Sequence, residues 1–219
     1  MSENSRFLKT RPEQSQKESK SSFPMKLPLV LTIGRIFVSP IFLAFYLNYQ
    51  YLGISLRALP FVLLLLLGLS ELSDFFDGYL ARKFNGVTQL GKVLDPMADS
   101  ITKLTILLTF TQGIINLPLL LVFVFIYRDA MISTLRTICA LKGVTLAART
   151  SGKIKTFLQA LSILLILVLM IPYAWGTLSL GGLQKMSLFI IMAAAFYTVY
   201  SGAEYTYSNR AYIKQAWKR

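Results

Sequence analysis

Five of the ten acidic residues in this 219-residue chain lie between positions 71 and 99: Glu71, Asp74, Asp77, Asp95 and Asp99. Scattered surface acids do not concentrate in this way. Asp74 and Asp77 are three apart, and Asp95 and Asp99 are four apart, so on helices each pair shares a face. A short link between two such helices would set them antiparallel and adjacent, and the four carboxylates would converge. Four negative charges repel unless cations sit among them. The chain has no histidine, and its one cysteine, Cys139, is distant in sequence. The ligands would therefore be hard oxygens, which select Mg²⁺, Mn²⁺ or Ca²⁺ over zinc or copper. Ser-His-Asp catalysis and His-ligated zinc are excluded. Cys139 can form no intrachain disulfide and, in an apolar helical stretch, reads as a small packing residue.

The neighbours of the acids fit phosphoryl chemistry. Gly78 follows Asp77 and removes a side chain where a ligand could approach the backbone. Ala81 is small, and Arg82 lies one turn beyond Gly78. Gly91 opens the next segment, with Lys83 and Lys92 nearby. Glycine gives access, arginine suits phosphate, and paired metal ions neutralise charge. The plainer alternative pairs the acids with Arg82, Lys83, Lys92 and Lys103, but ion pairs need no glycines at fixed offsets. Glu71 stands apart, as either a support to the cluster or a water-capped acid.

These residues need elements to hold them. Hydrophobic residues make up 54% of the chain and charged residues 15%, against about 25% charged in a soluble domain; the mean hydropathy is +0.56. Six apolar segments are expected, at 29–51, 58–82, 92–112, 117–141, 153–172 and 184–208. Each approaches the roughly 20 residues that cross a hydrocarbon core. The expected fold is an all-α, six-span membrane domain over residues 25–219, preceded by a polar, disordered cytoplasmic tail at 1–24. Pro40 should kink the first span. The net charge of +13 does not indicate nucleic-acid binding, because its positions follow membrane topology. Seventeen of the 23 Lys and Arg residues fall in the tail, the 82–92 link, the 142–155 link and the C-terminus; only Arg57 and Lys185 fall on the opposite side. Both termini should face the cytoplasm, beside anionic head groups of the bilayer. Tyr46, Tyr49, Tyr51, Tyr173 and Trp175 would form an outer aromatic belt. An acid at the centre of a span costs about 2.5–3.5 kcal/mol, so the cluster near the inner boundary needs compensation.

Residues 74–99 read D-F-F-D-G-Y-L-A-R-K-F-N-G-V-T-Q-L-G-K-V-L-D-P-M-A-D. This resembles the signature of the CDP-alcohol phosphatidyltransferase family, D-x2-D-G-x2-A-R-x8-G-x3-D-x3-D, at all eight fixed positions. The resemblance extends over roughly residues 25–210. It implies that Asp74, Asp77 and Asp95 are the main metal ligands, with Asp95 bridging two Mg²⁺ (or Mn²⁺) ions. Asp99 would complete the metal site and act as general base on the acceptor hydroxyl. Gly78, Ala81, Arg82 and Gly91 would hold the CDP moiety. It further implies a homodimer in the cell (inner) membrane with its active site on the cytoplasmic side. Related sequences often open the first span with P-N-x2-T-x2-R. Here Thr32 and Arg35 match, and Thr32 joins the CDP group, but Leu29 replaces the asparagine, whose contacts must be absent or supplied elsewhere.

The second half of the chain must select the acceptor. Arg128 and Asp129 lie inside the fourth span, with Arg136 two turns on; Arg149 precedes Ser151, Gly152, Lys153 and Lys155. Basic groups inside spans usually mark function, and several of them beside a metal site suit an anionic acceptor. The runs at 127–129 and 152–159 resemble the corresponding stretches of family members that use glycerol 3-phosphate. The expectation is transfer of a phosphatidyl group from CDP-diacylglycerol to sn-glycerol 3-phosphate, with Arg128, Arg136, Arg149, Lys153 and Lys155 on the acceptor phosphate. The alternatives are inositol phosphate, serine or phosphatidylglycerol as acceptor, an ordinary basic loop at 149–155, or a cation transporter. Lys103, one turn past Asp99, could contact phosphate or balance charge.

Overall fold

Each long apolar segment of the sequence forms one helix. In chain order they are α1 Leu27–Asn48, α2 Leu59–Lys83, α3 Gln89–Thr109, α4 Leu119–Leu141, α5 Thr150–Ala174 and α6 Leu180–Ser208, followed by a short α7, Arg210–Lys218. The computed structural model describes the backbone of residues 27–83, 89–143 and 149–218, and the side chains of 34–73, 76, 96–143 and 149–214. Among these residues there is no strand. The six long helices coincide with the six expected segments to within a few residues. The expected tail at 1–24 lies outside the described residues, and α7 lies beyond the last expected segment.

Local chemistry sets the boundaries. α6 begins four residues earlier than hydropathy suggests because the Ser179 hydroxyl accepts from the Gly182 N–H at 3.1 Å, capping the first turn. It stops at Asn209, whose side-chain amide donates to the Tyr205 carbonyl at 2.8 Å. Pro118 sits just before α4, where its missing N–H costs nothing. α1 continues as one helix through Pro40.

α1 packs against both α2 and α3, α6 packs against α4 and α5, and α5 also contacts α2 and α3. The core draws on every long helix, with Phe42 from α1, Leu63 from α2, Ile106 and Leu107 from α3, Phe125 from α4, Ile166 from α5 and Ile191 from α6 all closed to solvent. Large apolar side chains also cover the outside, including Phe123, Leu165, Phe189 and Phe196. An apolar exterior of this extent suits lipid better than water. α5 and α6 are long and apolar enough to cross a membrane.

The aromatic belt needs one correction. Tyr51 and Trp175 are exposed, as expected, but Tyr46 is buried. Its ring packs edge-on against Phe110, with centroids 5.7 Å apart. Its hydroxyl donates to the Gln112 carbonyl at 3.1 Å and accepts from the Ile115 N–H at 2.9 Å. Tyr46 thus ties α1 to the α3–α4 turn, which reverses through Gly113 at φ +67°. A period of one residue in a helix turns the side chain by about 100°, so neighbouring tyrosines can belong to different environments.

Candidate active site

The acidic half is carried by the last turns of α2 and the first turns of α3. Asp74, Asp77, Gly78, Ala81 and Arg82 fall on the α2 backbone, and Gly91 and Asp95 on that of α3. Their side chains, like that of Thr32 in α1, lie outside the described residues. Two described side chains on the same helices fix how they meet. On α3, Lys103 donates to Asp99 Oδ1 at 2.5 Å. The same Lys103 Nζ is 3.9 Å from Glu71 Oε1 on α2. Lys103 is buried, Asp99 is partly open and Glu71 is half exposed. Lys103 therefore pairs with acids of both α2 and α3.

This contact brings α2 near α3 at Glu71. On α2 positions 71, 74 and 78 share one stripe, and on α3 positions 95, 99 and 103 share another. The whole donor set is carboxylate oxygen, with no imidazole or thiolate within the motif, which fits hard divalent cations.

The basic half is built from α4, α5 and α6. Asp129 lies between two cations. Its Oδ1 accepts from Arg128 at 3.0 Å and from Lys155 Nζ at 2.8 Å, and its Oδ2 accepts from Lys155 at 2.7 Å. Lys155 is only 3% exposed and lies over the Phe125 ring. Arg128 also donates to Ser201 on α6 at 2.9 Å. Gly202 makes room for its side chain: a Cβ there would sit 3.2 Å from Arg128 Cγ. Arg136 donates to the buried Tyr205 hydroxyl at 3.0 Å and stacks on its ring. Arg149, which precedes the first turn of α5, is 3.3 Å from Glu204 Oε1. Glu204 also accepts from Ser151 at 2.5 Å and Ser208 at 3.1 Å. Lys153 is exposed at the start of α5.

The structure thus brings Arg128 and Lys155 together through Asp129, and it lines Arg136 and Arg149 along one stripe of α6: Ser201, Glu204, Tyr205 and Ser208. Both halves use the C-terminal parts of α2, α4 and α6 and the N-terminal parts of α3 and α5, which fall at one end of an alternating bundle. α3 packs against α4 and α5, which brings the two halves together. One end of the bundle therefore offers carboxylates for cations on one side and fixed cations for an anion on the other. That arrangement suits the joining of two phosphate-bearing molecules.

Sequence reasoning missed Glu204, Ser201 and Tyr205 as partners of the site. A signal for Glu204 existed: it and Asp129 are the only acids beyond the motif, and an acid inside an apolar span needs a partner or a function. Nothing in the sequence marks Ser201 or Tyr205.

Comparison with known proteins agrees with these observations. A family model described as CDP-alcohol phosphatidyltransferase matches residues 25–200. The CDP-diacylglycerol–glycerol-3-phosphate 3-phosphatidyltransferase of Rickettsia typhi is 38% identical over 194 residues, which cover 85% of this chain and 98% of the relative. The protein of the same description from Bacillus subtilis is 32% identical over 194 residues, covering 86% of this chain and 97% of the relative.

Proposed function

The chain belongs to the CDP-alcohol phosphatidyltransferase family, and from that premise we propose that it transfers a phosphatidyl group from CDP-diacylglycerol to sn-glycerol 3-phosphate. The products are phosphatidylglycerophosphate and CMP. The observation that carries the acceptor is the group of cations on α4 and α5, held by Asp129, Ser201, Tyr205 and Glu204 at the end of the bundle that bears the aspartate motif. A phosphorylated acceptor needs cations of its own beside a second phosphate; a neutral alcohol does not. The names carried by relatives matched over nearly their whole length point the same way.

In this reading Asp74, Asp77, Asp95 and Asp99 hold two divalent cations, Mg²⁺ or Mn²⁺. When bound, these neutralise the diphosphate and polarise the β-phosphorus. Gly78, Ala81, Gly91 and Thr32 shape the CDP pocket, and Arg82 contacts its phosphate. Asp99 takes the proton from the acceptor hydroxyl as its oxygen bonds to the β-phosphorus and the bond to CMP breaks. Lys103 holds the Asp99 carboxylate toward the cleft. Arg149 and Lys153, both exposed, meet the acceptor phosphate first; Arg136, exposed as well, and the more buried Arg128 and Lys155 add to the positive field. The six long helices span the membrane with both termini on the cytoplasmic side, as the Lys and Arg distribution supports. The site then lies at the cytoplasmic boundary of the cell membrane, and the working unit is a homodimer.

Purified protein supplied with CDP-diacylglycerol, Mg²⁺ and a panel of acceptors tests this directly through CMP release. Glycerol 3-phosphate should be used best, glycerol poorly, and excess chelator should stop the reaction. Faster release with serine or inositol phosphate would overturn the acceptor; full activity in chelator would overturn the metal site.

A further inference from the structure

Resting on the anionic-acceptor reading, we propose that Glu204 is an exchangeable counter-ion, which holds Arg149 while the acceptor site is empty and yields it to the phosphate of the acceptor. The two carboxylates of the basic half are built differently. Asp129 gives both its oxygens to Lys155 and one also to Arg128, at 2.7–3.0 Å, with all three side chains largely buried. That pairing is fixed. Glu204 instead spends its short contacts on two hydroxyls, Ser151 and Ser208. Its nearest contact with Arg149 is longer, 3.3 Å. The Arg149 side chain is 43% exposed.

Three consequences follow from that geometry. First, Glu204 keeps two hydroxyl donors when Arg149 leaves, so its charge is not stranded. Second, the Arg149 side chain is open enough to solvent for an incoming phosphate to reach its guanidinium and take it bidentately. Third, Arg149 is the residue preceding α5 and its own side chain makes no capping bond, so the positive end of the helix adds to the pull on an anion. A neutral alcohol has nothing to offer Arg149 in place of the carboxylate, whereas a phosphate monoester does. Glu204 therefore acts as a positioning residue that biases acceptor choice by charge.

Glu204→Gln keeps the size of the side chain and removes the competing charge; its amide oxygen accepts from one of Ser151 and Ser208, and its N–H donates to the hydroxyl oxygen of the other. An ion pair this open to solvent contributes modestly, so losing it should change anion affinity by about 1.5- to 5-fold. The probe is inorganic phosphate, titrated against phenylglyoxal labelling of Arg149 and read by mass spectrometry. Phosphate should protect Arg149 in the native protein, and half-protection should need 1.5- to 5-fold less phosphate in Glu204→Gln. Glu204→Asp, which retains the charge, should return toward the native value. The KM for glycerol 3-phosphate should fall in Glu204→Gln by more than the KM for CDP-diacylglycerol. The native protein offers a check that needs no variant: phosphate should lower phenylglyoxal labelling of Arg149 and raise carbodiimide labelling of Glu204. Equal half-protection in native and Glu204→Gln proteins, no protection of Arg149 in either, or labelling of the two residues falling together would each overturn the exchange. If the shifts occur but a neutral alcohol proves the best acceptor, the exchange stands and the acceptor assignment falls. If glycerol 3-phosphate is the acceptor and the shifts do not occur, the reverse holds.

Discussion

Replacing Asp129 by Asn probes whether the basic half is a prestressed electrostatic unit. The substitution preserves shape and deletes one negative charge between two cations. In the native protein that charge accepts three hydrogen bonds of 2.7–3.0 Å from Lys155 and Arg128. Lys155 is nearly closed to solvent, and the other two side chains are 13–15% exposed, so water cannot take over the lost role. Removing one partner of a buried pair costs about 3–5 kcal/mol, because the remaining charge is left uncompensated. For a chain of this length, 1 kcal/mol moves Tm by about 2–4 °C, so the apparent Tm in detergent should drop by about 6–20 °C. Removing both charges separates the pair from its parts. Asp129→Asn combined with Lys155→Met leaves Arg128 its Ser201 contact and deletes the stranded ammonium. It should recover most of the lost stability, since replacing a buried pair by apolar groups is often close to neutral. Its KM for glycerol 3-phosphate should nevertheless stay high, because the field at the acceptor site is weaker. A Tm within about 2 °C of native for Asp129→Asn, equivalent to less than about 1 kcal/mol, would refute this account. So would a double variant no more stable than the single one.

Three further outcomes follow from the same geometry. Asp99→Asn should lower kcat by about 10²–10⁴-fold, the usual cost of losing a general base, with a smaller loss of CDP-diacylglycerol binding; equal losses in turnover and binding would leave Asp99 only a ligand. Arg149→Ala and Lys153→Ala should raise the KM for glycerol 3-phosphate more than that for CDP-diacylglycerol, as steady-state assays varying each substrate will tell. Tyr46→Phe strands the Ile115 N–H and the Gln112 carbonyl. It should cost about 1–3 kcal/mol, read as a lower apparent Tm with unchanged KM values.

The sequence by itself determined the helices and the spacing of the acidic half. Apolar runs of membrane length can satisfy their backbone polar groups in lipid only as helices or closed barrels, and Leu- and Ala-rich runs favour helices. The aspartate motif is legible because its members are close in sequence. Spacings of three and four convert directly into shared faces, and that local geometry does not depend on what the helices pack against. What tertiary structure decided is everything that joins residues far apart. Glu71 meets Lys103 across two helices, pairing an acid outside the motif with a cation one turn past Asp99. Arg128, Arg136 and Arg149 were visible as cations, but their partners Ser201, Tyr205 and Glu204 lie 55 to 73 positions away. No local rule predicts such a distance, because it depends on which faces of α4, α5 and α6 pack together. Tyr46 makes the same point in reverse. Its position near the end of a span suits a membrane boundary, yet the rotation of α1 against α3 turns it inward onto Phe110. Composition and spacing specify which groups are present and which share a face; only packing decides which of them are buried, which are paired, and which stay free to exchange.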